Sequence, residues 1–347
     1  MKGLVKYARG KGKMEIRDLP EPYPKEGQVK IEVKAAGICG SDIHVYHDEI
    51  DLPIRTPVVM GHEYCGVIVE VGRGVTNWLV GTRVTSETAF SVCERCVYCR
   101  TGQYHLCKER KGIGFWFDGA FADYIVIPEK RVHKLPENVD FIAGALGEPL
   151  ACITHGVTEL SRVHSGDTVL VAGVGAIGLL AAQVARAEGG RVIISGTSDD
   201  SKRFELAKSL GFNELINVQE KNLCQVIDEI TAGNGVDVFL ECSGTPEAAR
   251  MGLEVVKKRG WYTQIGLFGK PFEVNLETIA YKELQVTGSF SQRWTAWERA
   301  MKLLELKMVE TKPLVTDIYP ISEWQEAFNK FENKKGTKII LQPFNSP

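Results

Sequence analysis

The chain has 347 residues, of which 44% are hydrophobic, and carries a net charge of -2. That length can bury a substantial core and suits two domains better than one, while the near-neutral balance and the lack of a Lys/Arg cluster exclude nucleic acid and anionic membrane surfaces as partners. The start, Met1 to Arg9, is charged every few residues and lacks the apolar stretch of a signal peptide, so a cytoplasmic location is expected; nine cysteines, an odd number without an export signal, argue against a disulfide framework.

From Met1 to about Leu146, short apolar alternations such as Val29 to Val33 and Gly66 to Val71 are separated by Pro and Gly turns, which predicts an antiparallel β domain. Inside it, Gly40-Ser41-Asp42 predicts a helix start with Ser or Asp capping free N–H groups, and places Ser41 and His44 on one face of the first turn. From Glu148 the rhythm becomes strand, helix, strand. Thr168–Ala172, Val192–Ser195 and Val236–Leu240 are near-continuous apolar runs of the kind parallel strands need when covered on both faces. Helical stretches at Leu179 to Glu188 and Ser201 to Leu210 lie between them, so the α/β pattern predicts a doubly wound sheet. The uncharged run Thr168 to Ala185, 18 residues long, approaches a membrane span in length. Glycines at 173, 175 and 178 instead divide it into strand, turn and helix, so no membrane segment is expected. Beyond Gly288, helices near Thr295 to Leu306 and Ser322 to Asn333 and a last strand Lys338–Leu341 are expected to return to the first domain. The expected division is 1–147 with 288–347, and 148–287.

Two groups of metal-ligand residues stand out. Cys39, His62 and Glu63 offer a thiolate, an imidazole and a carboxylate, the three ligand types of zinc, and a catalytic zinc site leaves a fourth position open. Their spacing is wide, so convergence is an expectation, set against the alternative of a buried apolar cysteine and a structural histidine. Ser41 and His44 suit a proton path from an alcohol to solvent, and Asp42 is free to orient the His62 imidazole. Cys93, Cys96, Cys99 and Cys107 read C-x2-C-x2-C-x7-C, matching a closed four-cysteine zinc site that performs no chemistry. An iron–sulfur cluster fits less well, because the ferredoxin run places its fourth cysteine after three residues.

Gly173-Val174-Gly175-Ala176-Ile177-Gly178 is G-x-G-x-x-G, preceded by a strand and followed by an Ala-rich helix and a second strand, the context a dinucleotide site demands. The first glycine makes the turn, the second admits the pyrophosphate, and the third lets helix and strand pack, with the helix N-terminus facing the phosphates. The acid expected after the second strand, to hold the ribose 2'-OH, is replaced by Gly196. Its absence removes a charge that would repel a 2'-phosphate, and Thr197, Ser198, Lys202 and Arg203 offer donors, which favours NADP; Asp199 or Asp200 holding the ribose of NAD is the alternative.

Gly61-His62-Glu63, the four-cysteine stretch and the glycine fingerprint, in this order over nearly the whole chain, resemble the zinc-containing medium-chain dehydrogenases/reductases, in particular their polyol dehydrogenases. The resemblance implies a GroES-like β-rich catalytic domain followed by a Rossmann domain, with the active site in the cleft between them. It implies a catalytic zinc on Cys39, His62 and Glu63, with Glu148 as a further carboxylate near the metal, a relay through Ser41 and His44, and a nicotinamide fixed by Ile265-Gly266-Leu267 and Gly288-Ser289. Arg83 to Thr88, Arg110 to Gly114 and Gly288 to Gln292 are most similar to the D-arabitol-phosphate dehydrogenases of the family, which supports a sugar alcohol as substrate better than it supports its phosphate. Ser291-Gln292 stands where sorbitol dehydrogenases carry an Arg-Tyr pair, which weighs against plain sorbitol, and Arg293 is the candidate for an anionic substrate end. Also implied are two zinc ions, NAD or NADP, and a homotetramer or homodimer. The alternatives are an L-threonine or hexitol (galactitol) phosphate dehydrogenase of the same family, a zinc-free quinone reductase, and a dinucleotide-binding protein without turnover.

Overall fold

A computed structural model describes residues 1–49 and 53–344. The chain forms two compact units: Met1–Ala151 with Gln292–Glu305 and Thr311–Pro347, and Cys152–Ser291 with Leu306–Glu310. Their boundaries fall four residues later than the sequence pattern places them. The short return Leu306–Glu310 belongs to the second unit, where the Gln183 amide exchanges two hydrogen bonds with the Glu310 backbone.

In the first unit, strand Gln28–Gly37 is central. It pairs antiparallel with Glu63–Val71 on one side, and with Tyr124–Pro128 and Lys338–Gln342 on the other. The sheet continues through Arg83–Ser86 to Val132–Lys134 at one end and to Val315–Pro320 at the other. A small sheet of Met14–Asp18, Lys2–Lys6 and Val58–Val59 stands beside it. The expected antiparallel domain is therefore present with one exception. Val315–Pro320 and Lys338–Gln342 run parallel, since the helix Trp324–Glu332 carries the chain back between them. Alternate residues of the long strands enter a core of Val29, Ile31, Val33, Ile68, Phe121, Ile125 and Ile339, closed by Trp324 and Phe328.

The second unit is a six-stranded parallel sheet in the order Leu215–Asn217, Arg191–Gly196, Thr168–Ala172, Val236–Glu241, Val256–Gln264, Gln285–Gly288. This doubly wound order reverses between Thr168–Ala172 and Val236–Glu241, and ligands bind outside the carboxyl ends of strands at such a switch point. Buried side chains of Leu170, Ile193, Phe239 and Tyr262 form the core around it. The helix Gly147–Thr154 continues as a π-helical turn, His155–Leu160, in which Gly156 lets Ser289 approach to 3.0 Å of where a Cβ would stand. Among the described residues no helix is long and apolar enough to cross a membrane.

Candidate active site

Strand Gln28–Gly37 leads into Cys39, the cap of helix Gly40–His47, and strand Glu63–Val71 begins immediately after His62. Gly37 and Glu63 are register partners, so the two chain segments meet at one corner. There the ligand atoms of Cys39, His62 and Glu63 all lie within 4.8 Å of one another, and the wide spacing in sequence closes as expected. Asp42 is fully buried. Its Oδ2 accepts the Cys39 N–H at 2.9 Å, and its Oδ1 lies 3.5 Å from His62 Nδ1. One carboxylate thus caps the helix and orients the imidazole, leaving Nε2 facing Ser41 Oγ at 3.4 Å. Cys39 is the N-cap, and Asp42 rather than Ser41 completes the capping box by accepting its N–H. His44 lies exposed on the same helix.

Burial works against a charged His62, but Asp42 and Cys39 outweigh it and hold its pKa well above the ordinary value. The corner therefore favours positive charge. Asp42 Oδ1 and His62 Nδ1 are buried without a directional hydrogen bond, as is Glu63 Oε2, which is ion-paired with Lys338. A thiolate, an imidazole and a carboxylate gathered in this way fit zinc with a vertex left open.

Lys338 is the member of this corner that sequence reasoning passed over. Its ammonium pairs with Glu63 and donates to the Ile38 carbonyl at 2.9 Å. The two side chains come from strands on opposite sides of Gln28–Gly37 and meet over Gly37. A Cβ there would stand 2.5 Å from Glu63 Oε2 and 2.9 Å from Lys338 Cε. Burial lowers the lysine pKa, yet Glu63, Cys39 and Glu148 together raise it above its usual value. Glu148 is buried on the helix Gly147–Thr154, close enough for its charge to act on Lys338 and outside the three-ligand set. A lysine opening an otherwise apolar strand was the available signal. Phe115 closes over His62, with ring centroids 5.2 Å apart.

The four cysteines also converge, with ligand atoms within 4.8 Å of one another. Sγ–Sγ distances of 3.9 Å for Cys93–Cys99 and 3.5 Å for Cys96–Cys99 bracket the roughly 3.8 Å edge of a tetrahedron with ~2.3 Å zinc–sulfur bonds. Backbone N–H groups of Arg95 and Cys96 hold the Cys93 thiol at a pKa of about 6, which favours the thiolate that a metal needs. These four fit a closed zinc site.

In the second unit, Gly173 turns the chain at φ +109°. A Cβ on Gly178 would stand 1.9 Å from the Gly173 carbonyl, whereas one on Gly175 would meet nothing within 4 Å. Close packing at one glycine and open space at another, where Gly175 caps the helix Ala176–Ala187, form the cradle a pyrophosphate requires. Ala176 and Ile177 open that helix. The buried Glu241, ending the strand across the switch point, accepts the backbone N–H groups of Ser243 and Gly244 and the Gln264 amide. It was not singled out from sequence, and it fixes the turn beside Ile265, Gly266 and the exposed Leu267. Gly288 ends the last strand and the Ser289 N–H donates to the Gln264 carbonyl.

The missing acid at position 196 is offset in space. Asp200 Oδ2 would lie 3.1 Å from a Cβ on Gly196, and accepts Thr197 N and Oγ1, while Oδ1 accepts Arg203 Nη1 at 3.0 Å. Ser198 accepts from Asn217. A carboxylate and a guanidinium therefore stand together where only the donors were favoured. Arg293 lies half-buried, just before the helix Trp294–Glu305 of the first unit.

Residues 25–137 match the Alcohol dehydrogenase GroES-like domain family, and residues 176–305 the Zinc-binding dehydrogenase family. The chain is 46% identical to a sorbitol dehydrogenase of Halalkalibacterium halodurans, over 99% of this chain and 100% of that one. It is 39% identical to a D-arabitol-phosphate dehydrogenase of Enterococcus avium, over 99% and 97%. Among solved structures, a zinc-binding dehydrogenase of Sinorhizobium meliloti 1021 bound to NADP superposes with a TM-score of 0.90 at 30% identity, covering 99% of both chains. An alcohol dehydrogenase of E. coli CFT073 complexed with NADH gives 0.89 at 28% identity with the same coverage.

Proposed function

The chain belongs to the zinc-containing medium-chain dehydrogenases/reductases and is an oxidoreductase acting on alcohols; on that premise we propose that it takes a hydride from the secondary alcohol of a sugar alcohol, a polyol or a pentitol phosphate such as D-arabitol phosphate, and gives it to NAD or NADP. The observation that carries the reading is the meeting of Cys39, His62 and Glu63 at one buried corner, separate from the closed set of four cysteines. Bound there, a zinc ion supplies a Lewis acid that lowers the pKa of a substrate hydroxyl. Ser41 Oγ, beside His62 Nε2, accepts the hydroxyl proton as its own proton moves on to the exposed His44, which passes it to solvent. Asp42 keeps the His62 ring turned to the reacting side, and Glu148 adds a carboxylate near the substrate. A nicotinamide cofactor held by the second unit would accept the hydride of the carbinol carbon, leaving a ketone and the reduced cofactor.

The second unit supports the cofactor part. Gly173, Gly175, Ala176, Ile177 and Gly178 receive the pyrophosphate, and Ile265, Gly266, Leu267, Gly288 and Ser289 the nicotinamide. Thr197, Ser198 and Arg203 meet either a 2'-phosphate or, with Asp200, a ribose diol. Arg293 receives an anionic substrate end. The two relatives named above bracket a sugar-alcohol substrate that is free or phosphorylated. We read the enzyme as cytoplasmic and homo-oligomeric, dimer or tetramer, to be checked by light scattering.

The test is a screen of pentitols, hexitols, their phosphates and L-threonine with both nicotinamide cofactors, followed by absorbance, together with zinc analysis. The reading expects two zinc ions per chain and turnover of a sugar alcohol. One zinc per chain and no turnover would support the non-catalytic alternative, and preference for L-threonine would move the substrate class.

A further inference from the structure

The four-cysteine lobe is wired to the start of the helix Trp294–Glu305 by two routes within the first unit, which pass through the adjacent residues Glu87 and Thr88. Tyr104, between the ligands Cys99 and Cys107, donates its hydroxyl to Glu87 Oε1 at 2.8 Å, and its oxygen also meets the Trp294 backbone N–H. Burial and the Glu87 charge push this phenol's pKa up, so it stays a donor. Glu87 is 1% exposed and is held from the other side by Arg131 at 3.1 Å, whose guanidinium lies 4.1 Å over the Tyr104 ring. His133, 3.5 Å from Glu87, stacks on Trp297 at 4.9 Å and pairs with Glu298. The second route starts at Arg110, three residues past Cys107, which donates to Thr88 Oγ1 at 2.6 Å; the same oxygen accepts the Gln292 amide at 3.2 Å.

We propose that the lobe is a positioning device for the substrate end of the site. Through Tyr104 and Arg110 it fixes Glu87 and Thr88, and through them the segment Gln292 to Trp297. Glu87 is gripped by Tyr104, Arg131 and His133, which favours one geometry although Arg131 Nε, His133 Nε2 and Trp297 Nε1 find no hydrogen-bond partner among the described residues, and a closed metal site makes its loop rigid. Tyr104 is the positioning residue. Its effect on catalysis rests on the reading that Arg293 meets the substrate; its effect on the helix start does not.

The test uses the zinc-loaded full chain carrying Tyr104→Phe, in which Glu87 keeps Arg131 and His133 and the fold is retained. Loss of one hydrogen bond to a carboxylate should raise KM for the sugar alcohol by about threefold to tenfold, with kcat within about twofold. Tryptophan emission should shift, because Trp294 and Trp297 report on the helix start. Since coupling between sites is reciprocal in binding free energy, the lobe zinc should also be released at a lower chelator concentration at equilibrium, and Glu87→Gln should act in the same direction. Unchanged emission and unchanged zinc release overturn the proposal whatever the kinetics, and a shift in both with KM unmoved overturns the positioning of substrate. If no sugar alcohol proves to be a substrate, the function above fails, while emission and zinc release still decide whether the lobe sets the helix.

Discussion

Replacing Lys338 by Met removes the cation that Glu63 faces across Gly37. The lysine is 4% exposed and Glu63 1%, so the remaining carboxylate is stranded in the interior, and removing one partner of such a pair costs about 3–5 kcal/mol. When zinc is bound, Glu63 has a second cation, and the remaining loss is the hydrogen bond to the Ile38 carbonyl, about 1 kcal/mol. The zinc-free protein is therefore hurt more than the loaded one, by about 2–4 kcal/mol. By linkage the variant should bind its catalytic zinc about 30-fold to 1,000-fold more tightly than the parent chain. Competition against a chelator of known affinity measures this, with Lys338→Arg as the control that keeps the charge and stays near the parent value. Affinity that falls, or does not change, would show that Lys338 and the metal do not share Glu63, and would refute the reasoning.

Four further outcomes are expected. Gly37→Ala forces a methyl group into the Glu63–Lys338 contact, an overpacking of about 1–3 kcal/mol, and metal analysis should show the catalytic zinc depleted with the lobe zinc kept. Gly178→Ala drives a methyl onto the Gly173 carbonyl, so nicotinamide cofactor binding, followed by fluorescence titration, should weaken by about tenfold or more. Glu148→Ala should cut turnover and leave the lobe zinc bound; unchanged activity removes Glu148 from the site. Burial raises the Asp140 pKa, but the Ala143 N–H it accepts and the Lys312 ammonium outweigh this and hold it low. The folded value lies below the unfolded one, so its stabilisation is complete above about pH 5 and is lost as pH falls through the folded value. Asp140→Ala should cost about 1 kcal/mol at neutral pH and flatten acid unfolding followed by circular dichroism.

Local chemistry made much of this molecule legible in advance. The turn at Gly173 and the helix after it follow from residues within a few positions, as does the four-cysteine lobe. Strands such as Thr168–Ala172 could be read directly because, from Val169 on, both faces are buried and every position is apolar. What escaped was set by register and by distance along the chain. Glu63 and Lys338 touch only because an intervening strand carries glycine at one position. Asp200 reaches the end of the strand Arg191–Gly196 through a capping box at Thr197, so the carboxylate missing from position 196 arrives from four residues later. The parallel pair Val315–Pro320 and Lys338–Gln342 followed a domain of antiparallel pairings and gave no separate cue.

The placement of Lys338 on the closing strand gives the metal corner a timetable. During synthesis the thiol, imidazole and carboxylate leave the ribosome early, within the first fifth of the chain, and their internal counter-ion emerges almost last. A growing polypeptide thus exposes an anionic corner able to recruit an ion before the strand that balances it exists, and a truncation ahead of Lys338 would free a protein whose metal pocket lacks its built-in rival cation.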